Sequence, residues 1–170
     1  MNVRTSYLHV MVTNGLEAAM ILKRELIKVG LEAKDAEDAL RTMAQGFVDA
    51  GYAKESYPQG IIEREVVFPT GLPCEVSDIA IPHCDSRHVI EKCVGIATLT
   101  EPIEMKMMGD PDTTLHPQVL FMLGIKEAHG QLEMLQQLIA VIQDKDRMEA
   151  LLACKDADEL YDLMAPVLGE

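Results

Sequence analysis

The chain is 170 residues long, 48% hydrophobic and 25% charged, which fits one ordinary globular domain. With 28 acidic against 15 basic side chains the net charge is −13; aromatics are 4% with no tryptophan, which excludes the basic stripe and stacking platform of a nucleic-acid binder. The apolar runs are short, Met1-Asn2-Val3-Arg4 leads into none, and Cys74, Cys84, Cys93 and Cys154 form no CxxC pair, so the expectation is a cytoplasmic protein with reduced thiols, without membrane span, leader or disulfide framework.

Residues 1–21 read as an N-terminal extension and residues 22–168 as the domain. Within the first stretch, 6–12 could form a short strand, and Thr13 or Asn14 could cap a helix over 16–26. Ile27, Val29 and Leu31 then alternate with Lys28, Gly30 and Glu32, the period of a half-buried strand. Asp35 caps a helix with Ala39, Leu40, Met43 and Phe47 inward, and Gly51 stops it. Ser56 caps the next helix, with Pro58 in its first turn and Ile61, Ile62 and Val66 as its apolar residues. Pro69-Thr70-Gly71 breaks it, and 72–78 read as loop.

Ile79-Ala80-Ile81 is a short apolar strand ended by Pro82. Runs 94–99 and 118–125 predict strands buried on both faces, with a weaker one over 104–108. A helix over 128–142 would turn Leu132, Leu135, Leu138, Ile139 and Ile142 inward, and two more cover 146–153 and 157–167. The expected fold is α/β, a single domain with a mixed, largely buried sheet covered by helices.

Five histidines are present, His9, His83, His88, His116 and His129, and two of them, His83 and His129, lie at informative places. His83 leaves a strand end through Pro82, at the rim where α/β proteins keep their sites. Imidazole with an ordinary pKa of about 6.5 is a nucleophile near neutral pH; the plain alternative is a loop histidine. His129 starts a helix directly after a buried strand, where free N–H groups favour an anion; the plain alternative is a capping or surface residue. Arg64 is either a surface ion-pair partner within Glu63-Arg64-Glu65 or a fork for phosphate. His83, Cys84 and His88 cluster in sequence but fall short of the four ligands of a standard zinc site. Neither GxxxxGK[ST] nor GxGxxG occurs, nor GxSxG or HExxH.

Taken in order, 26–40 (LIKVGLEAKDAEDAL), 57–72 (YPQGIIEREVVFPTGL), 79–83 (IAIPH) and 128–138 (AHGQLEMLQQL) resemble enzyme IIA of the bacterial sugar phosphotransferase system, in its mannitol/fructose type. Cys84 after the histidine, where most of that family has Gly, and the long loop over 70–79 resemble the galactitol-type branch. The resemblance implies that His83 is phosphorylated by the carrier protein HPr and passes the group to a cysteine of a IIB protein, and so to a sugar entering through a membrane IIC partner. It implies that His129 supports the phosphoryl group and that Arg64 holds the site in shape or touches the phosphate. No metal or cofactor is implied, since the donor is already a phosphohistidine. Two other readings stand beside it: a regulatory phosphoprotein of the same fold, and a metal- or ligand-binding module using His83, Cys84 and His88.

Overall fold

The computed structural model describes residues 21–169, without the side chains of Ala128, His129, Gly130, Gln131 and Glu133. The expected strand over 6–12, the cap at Thr13 or Asn14 and the first part of the following helix lie outside the described residues. Among the described residues seven strands form one sheet: β1 (Leu22–Leu31), β2 (Gly71–Leu72), β3 (Ile79–Ala80), β4 (Cys93–Leu99), β5 (Met105–Met107), β6 (Asp110–Leu115) and β7 (Val119–Gly124). Their order is β1-β4-β7-β3-β2-β5-β6. The sheet is mixed: β1 and β4 run parallel, β4 and β7 antiparallel, and β3 and β7 parallel.

Among the described residues five α-helices cover it: α1 (Ala36–Asp49), α2 (Tyr57–Val67), α3 (Ala128–Gln143), α4 (Lys145–Ala153) and α5 (Ala157–Leu168). Every residue of β4 and β7 is buried, and alternate side chains serve opposite faces. Val94, Ile96, Val119 and Phe121 pack with Leu138 of α3, Leu151 of α4 and Leu160 of α5. Ala97, Leu120 and Met122 pack with Met43 and Phe47 of α1 and Ile61 of α2. The domain is thus a three-layer α/β/α arrangement, as the apolar runs predict. Among the described residues no helix is long and apolar enough to cross a membrane.

Several local expectations change. Residues 22–26 belong to β1, not to a helix. The β1–β4 register slips between Leu22 and Ile27, which puts both on the same side of the sheet five residues apart. That irregularity hides the period of two that marks a strand. Asp35 does cap α1, accepting from the Asp38 amide at 2.8 Å. Ser56 occupies the cap position of α2 but makes no cap bond; its hydroxyl pairs with His88 instead. Val66 is 79% exposed, and Leu132 and Ile139 face outward, while Met134, Leu138 and Val141 are the fully buried contacts of α3. β6 has no counterpart in the sequence reading. Its residues DPDTTL are polar and mostly exposed, as an edge strand tolerates.

Candidate active site

β3 hands the chain through Ile81 and Pro82 to His83. That exit is held on both sides. Ile81 N donates to Thr70 O at 3.1 Å, and Leu123 N of β7 donates to Pro82 O at 3.0 Å. The Leu123 carbonyl in turn accepts from the buried Tyr57 hydroxyl of α2 at 2.9 Å. His83 Nδ1 lies 2.8 Å from Ile81 O. A carbonyl oxygen only accepts, so Nδ1 carries the ring proton and Nε2 keeps its lone pair. Burial lowers the His83 pKa from its ordinary value; the Ile81 bond opposes this and the Arg64 charge adds to it. Neutral imidazole is therefore favoured.

His83 lines a pocket of about 430 Å³ together with Arg64, Phe68, Thr70, Met108 and Leu135. Arg64 sits in the last turn of α2, with its guanidinium 4.6 Å from the centre of the Phe68 ring. Its Nε is buried and, among the described residues, has no hydrogen-bond partner. The pocket thus joins a neutral imidazole to a guanidinium, which suits a phosphoryl group.

His129 lies in the first turn of α3, and its side chain is outside the described residues. β3 and β7 are parallel neighbours, so the segments carrying His83 and the start of α3 leave the sheet at one edge. Lys126 ties these segments together, with Nζ 2.9 Å from Val89 O.

Cys84 and His88 face a second pocket with Gly60, Arg64 and Arg87. His88 accepts at Nε2 from Arg87 Nε at 3.2 Å, so its Nδ1 donates to Ser56 Oγ at 2.7 Å. Among the described residues no group of three or more His, Cys, Asp or Glu is placed to hold a metal ion. His116 stands away from both pockets, 3.8 Å from Glu104. Burial pushes the Cys84 thiol up to about 12, which makes it an unreactive neighbour of His83. Sequence reasoning missed Glu65, whose carboxylate binds Thr70 rather than an arginine. Its one signal was the Pro-Thr-Gly stop placed just after the helix.

A family model described as the EIIA 2 component of the phosphoenolpyruvate-dependent sugar phosphotransferase system matches residues 20–166. The chain belongs to this family. Its members are phosphotransferases that carry a phosphohistidine intermediate, and the mannitol/galactitol-type EIIA proteins are among this chain's relatives. The galactitol-specific EIIA component of Escherichia coli is 26% identical over 126 residues, covering 74% of this chain and 83% of that protein. The mannitol-specific enzyme IIA component of Bacillus subtilis is 25% identical over 150 residues, covering 86% of this chain and 98% of that protein. In fold, the chain is similar to enzyme IIA in the solved complex of mannitol IIA with phosphorylated mannitol IIB from Escherichia coli, with TM-score 0.69, 24% identity and coverage of 86% of this chain and 99% of that chain.

Proposed function

We propose that this phosphotransferase accepts its phosphoryl group on Nε2 of His83, from the phosphohistidine of HPr, and passes it to a cysteine of a IIB protein. The observation that carries this reading is the hydrogen bond of Nδ1 to the Ile81 carbonyl, which leaves Nε2 as the nucleophile beside Arg64. In the first step the Nε2 lone pair attacks phosphorus, and the N–P bond of the donor breaks with its electron pair staying on the donor ring. The Nδ1 proton remains in place, and Ile81 O stabilises the positive charge that grows on the imidazole. In the second step a thiolate attacks the same phosphorus, and the Nε2–P pair returns to His83.

Arg64 neutralises the equatorial oxygens of a loose transition state, for which positioning and charge are the main protein contributions. His129, at the start of α3, donates a further N–H to the same oxygens. The neighbouring complex of a mannitol IIA with phosphorylated IIB supports a IIB acceptor. The route then leads through a membrane IIC partner to a sugar or sugar alcohol in the cytoplasm. The galactitol-specific relative supports a galactitol-like substrate.

The test is incubation with phosphoenolpyruvate, enzyme I and HPr, with the phosphorylated residue mapped under non-acidic conditions. Label is expected on Nε2 of His83 and is abolished in His83→Ala. Label entering His83→Ala at the wild-type rate would overturn the assignment.

A further inference from the structure

Helix α2 ends at Val67, and the chain turns through Thr70 into β2. One side chain of the helix closes that turn. The two oxygens of Glu65 accept separately from Thr70: one from its amide at 2.9 Å, the other from its hydroxyl at 2.7 Å. Thr70 is only 1% exposed. Its carbonyl accepts from Ile81 N at 3.1 Å, and the Ile81 carbonyl accepts from His83 Nδ1 at 2.8 Å. The bonds lie in series, from a carboxylate on α2 to the imidazole. Ile81 O is the atom that selects which ring nitrogen carries the proton, so whatever fixes Ile81 fixes the nucleophile.

We propose that Glu65 is a positioning residue for phosphoryl transfer: through Thr70 and Ile81 it holds His83 with Nδ1 protonated and Nε2 open to the incoming phosphorus. This rests on the reading of His83 as the phosphoryl acceptor. A carboxylate suits the task because Thr70 offers two donors on one residue, and each oxygen takes one. Glu65 touches neither the phosphoryl group nor the ring.

The ring tautomer reports this role directly. Full-length protein with ¹⁵N-labelled histidine is compared by NMR as wild type, Glu65→Ala, Glu65→Gln, Thr70→Val and Thr70→Ser. The wild type shows a single neutral tautomer at His83, protonated on Nδ1. Glu65→Ala and Thr70→Val gain the second tautomer, and their rate of phosphoryl uptake falls about tenfold, as expected when a reacting group is misplaced. Glu65→Gln keeps both bonds, because the amide oxygen accepts from Thr70 N and the amide N–H donates to the hydroxyl. It and Thr70→Ser stay within about twofold of wild type, well inside the loss expected from misplacement. A folded Glu65→Ala with the wild-type tautomer ratio would overturn the proposal, and so would Glu65→Gln as impaired as Glu65→Ala. If Glu65→Ala does not fold, Thr70→Val reads the same link. A wild type that takes no label on His83 overturns the reading of the site, while the tautomer comparison still decides the role of Glu65.

Discussion

In the proposed reaction the imidazole of His83 enters neutral, and its surroundings favour that state. Burial is the largest cause of its lowered pKa, the bond to Ile81 O pulls the other way, and the Arg64 charge lowers it further. An ordinary histidine is half protonated at about pH 6.5. Phosphoryl uptake should therefore stay above half-maximal at pH 6.5 and decline only at lower pH, which a rate–pH profile checks. The sign for stability follows. As pH falls below the ordinary value the unfolded chain takes up the proton first, so His83 lowers folding stability from there down to its folded midpoint and is neutral to stability above. Arg64→Gln removes a nearby positive charge, so the His83 midpoint should move up in an NMR titration. The same variant loses charge-assisted bonds of about 1.5–3 kcal/mol each, enough to slow transfer by roughly 10–100-fold. His129→Ala should slow transfer by about the same 10–100 factor without abolishing it. An unchanged rate in that variant would remove His129 from the site.

At the scale of elements, the site depends on very short strands held from their flanks. β2 is two residues long, yet it carries the chain directly away from Thr70. A Cβ at Gly71 would lie 2.6 Å from the Lys106 carbonyl oxygen of the neighbouring strand, where only backbone could move aside. Gly71→Ala should destabilise the fold by about 1–3 kcal/mol. It should also slow phosphoryl uptake, because Thr70 is displaced with it; denaturant melts and the transfer assay read the two effects separately. This dependence on flanking backbone also explains what the sequence could and could not reveal. β4 and β7 were legible because uninterrupted apolar runs mark strands buried on both faces. The strand–Pro–His pattern around His83 was legible because its information is local. The Glu65–Thr70 clamp was not, since a glutamate beside an arginine reads equally well as a surface pair. β6 escaped because an exposed edge strand needs no apolar alternation. Leu132 and Ile139 fit a helical stripe by spacing, but α3 packs on a narrower face centred on Met134, Leu138 and Val141.

For the whole molecule, charge and contact are separated. The net charge is −13, but among the described residues the pocket beside His83 is lined by no carboxylate. Its lip is apolar: Val67 and Phe68 at the end of α2 are 65% and 56% exposed, and the exposed Met108 lines the same pocket. A docking partner would meet an apolar surface at short range and an acidic field at long range. The long-range part acts through the encounter rate, and salt screens it over a Debye length of about 10 Å at 0.1 M. The short-range part is nearly insensitive to salt, because burying apolar side chains involves no ion pairs. For a donor that docks through a basic face, raising ionic strength from about 50 to about 500 mM should lower kcat/KM by roughly tenfold while kcat changes little. A salt series in the HPr-dependent transfer assay measures this. Neutral crowding agents at matched viscosity separate screening from slowed diffusion. A kcat/KM that holds steady or rises with salt would mean that the acidic surface plays no part in bringing the donor to His83.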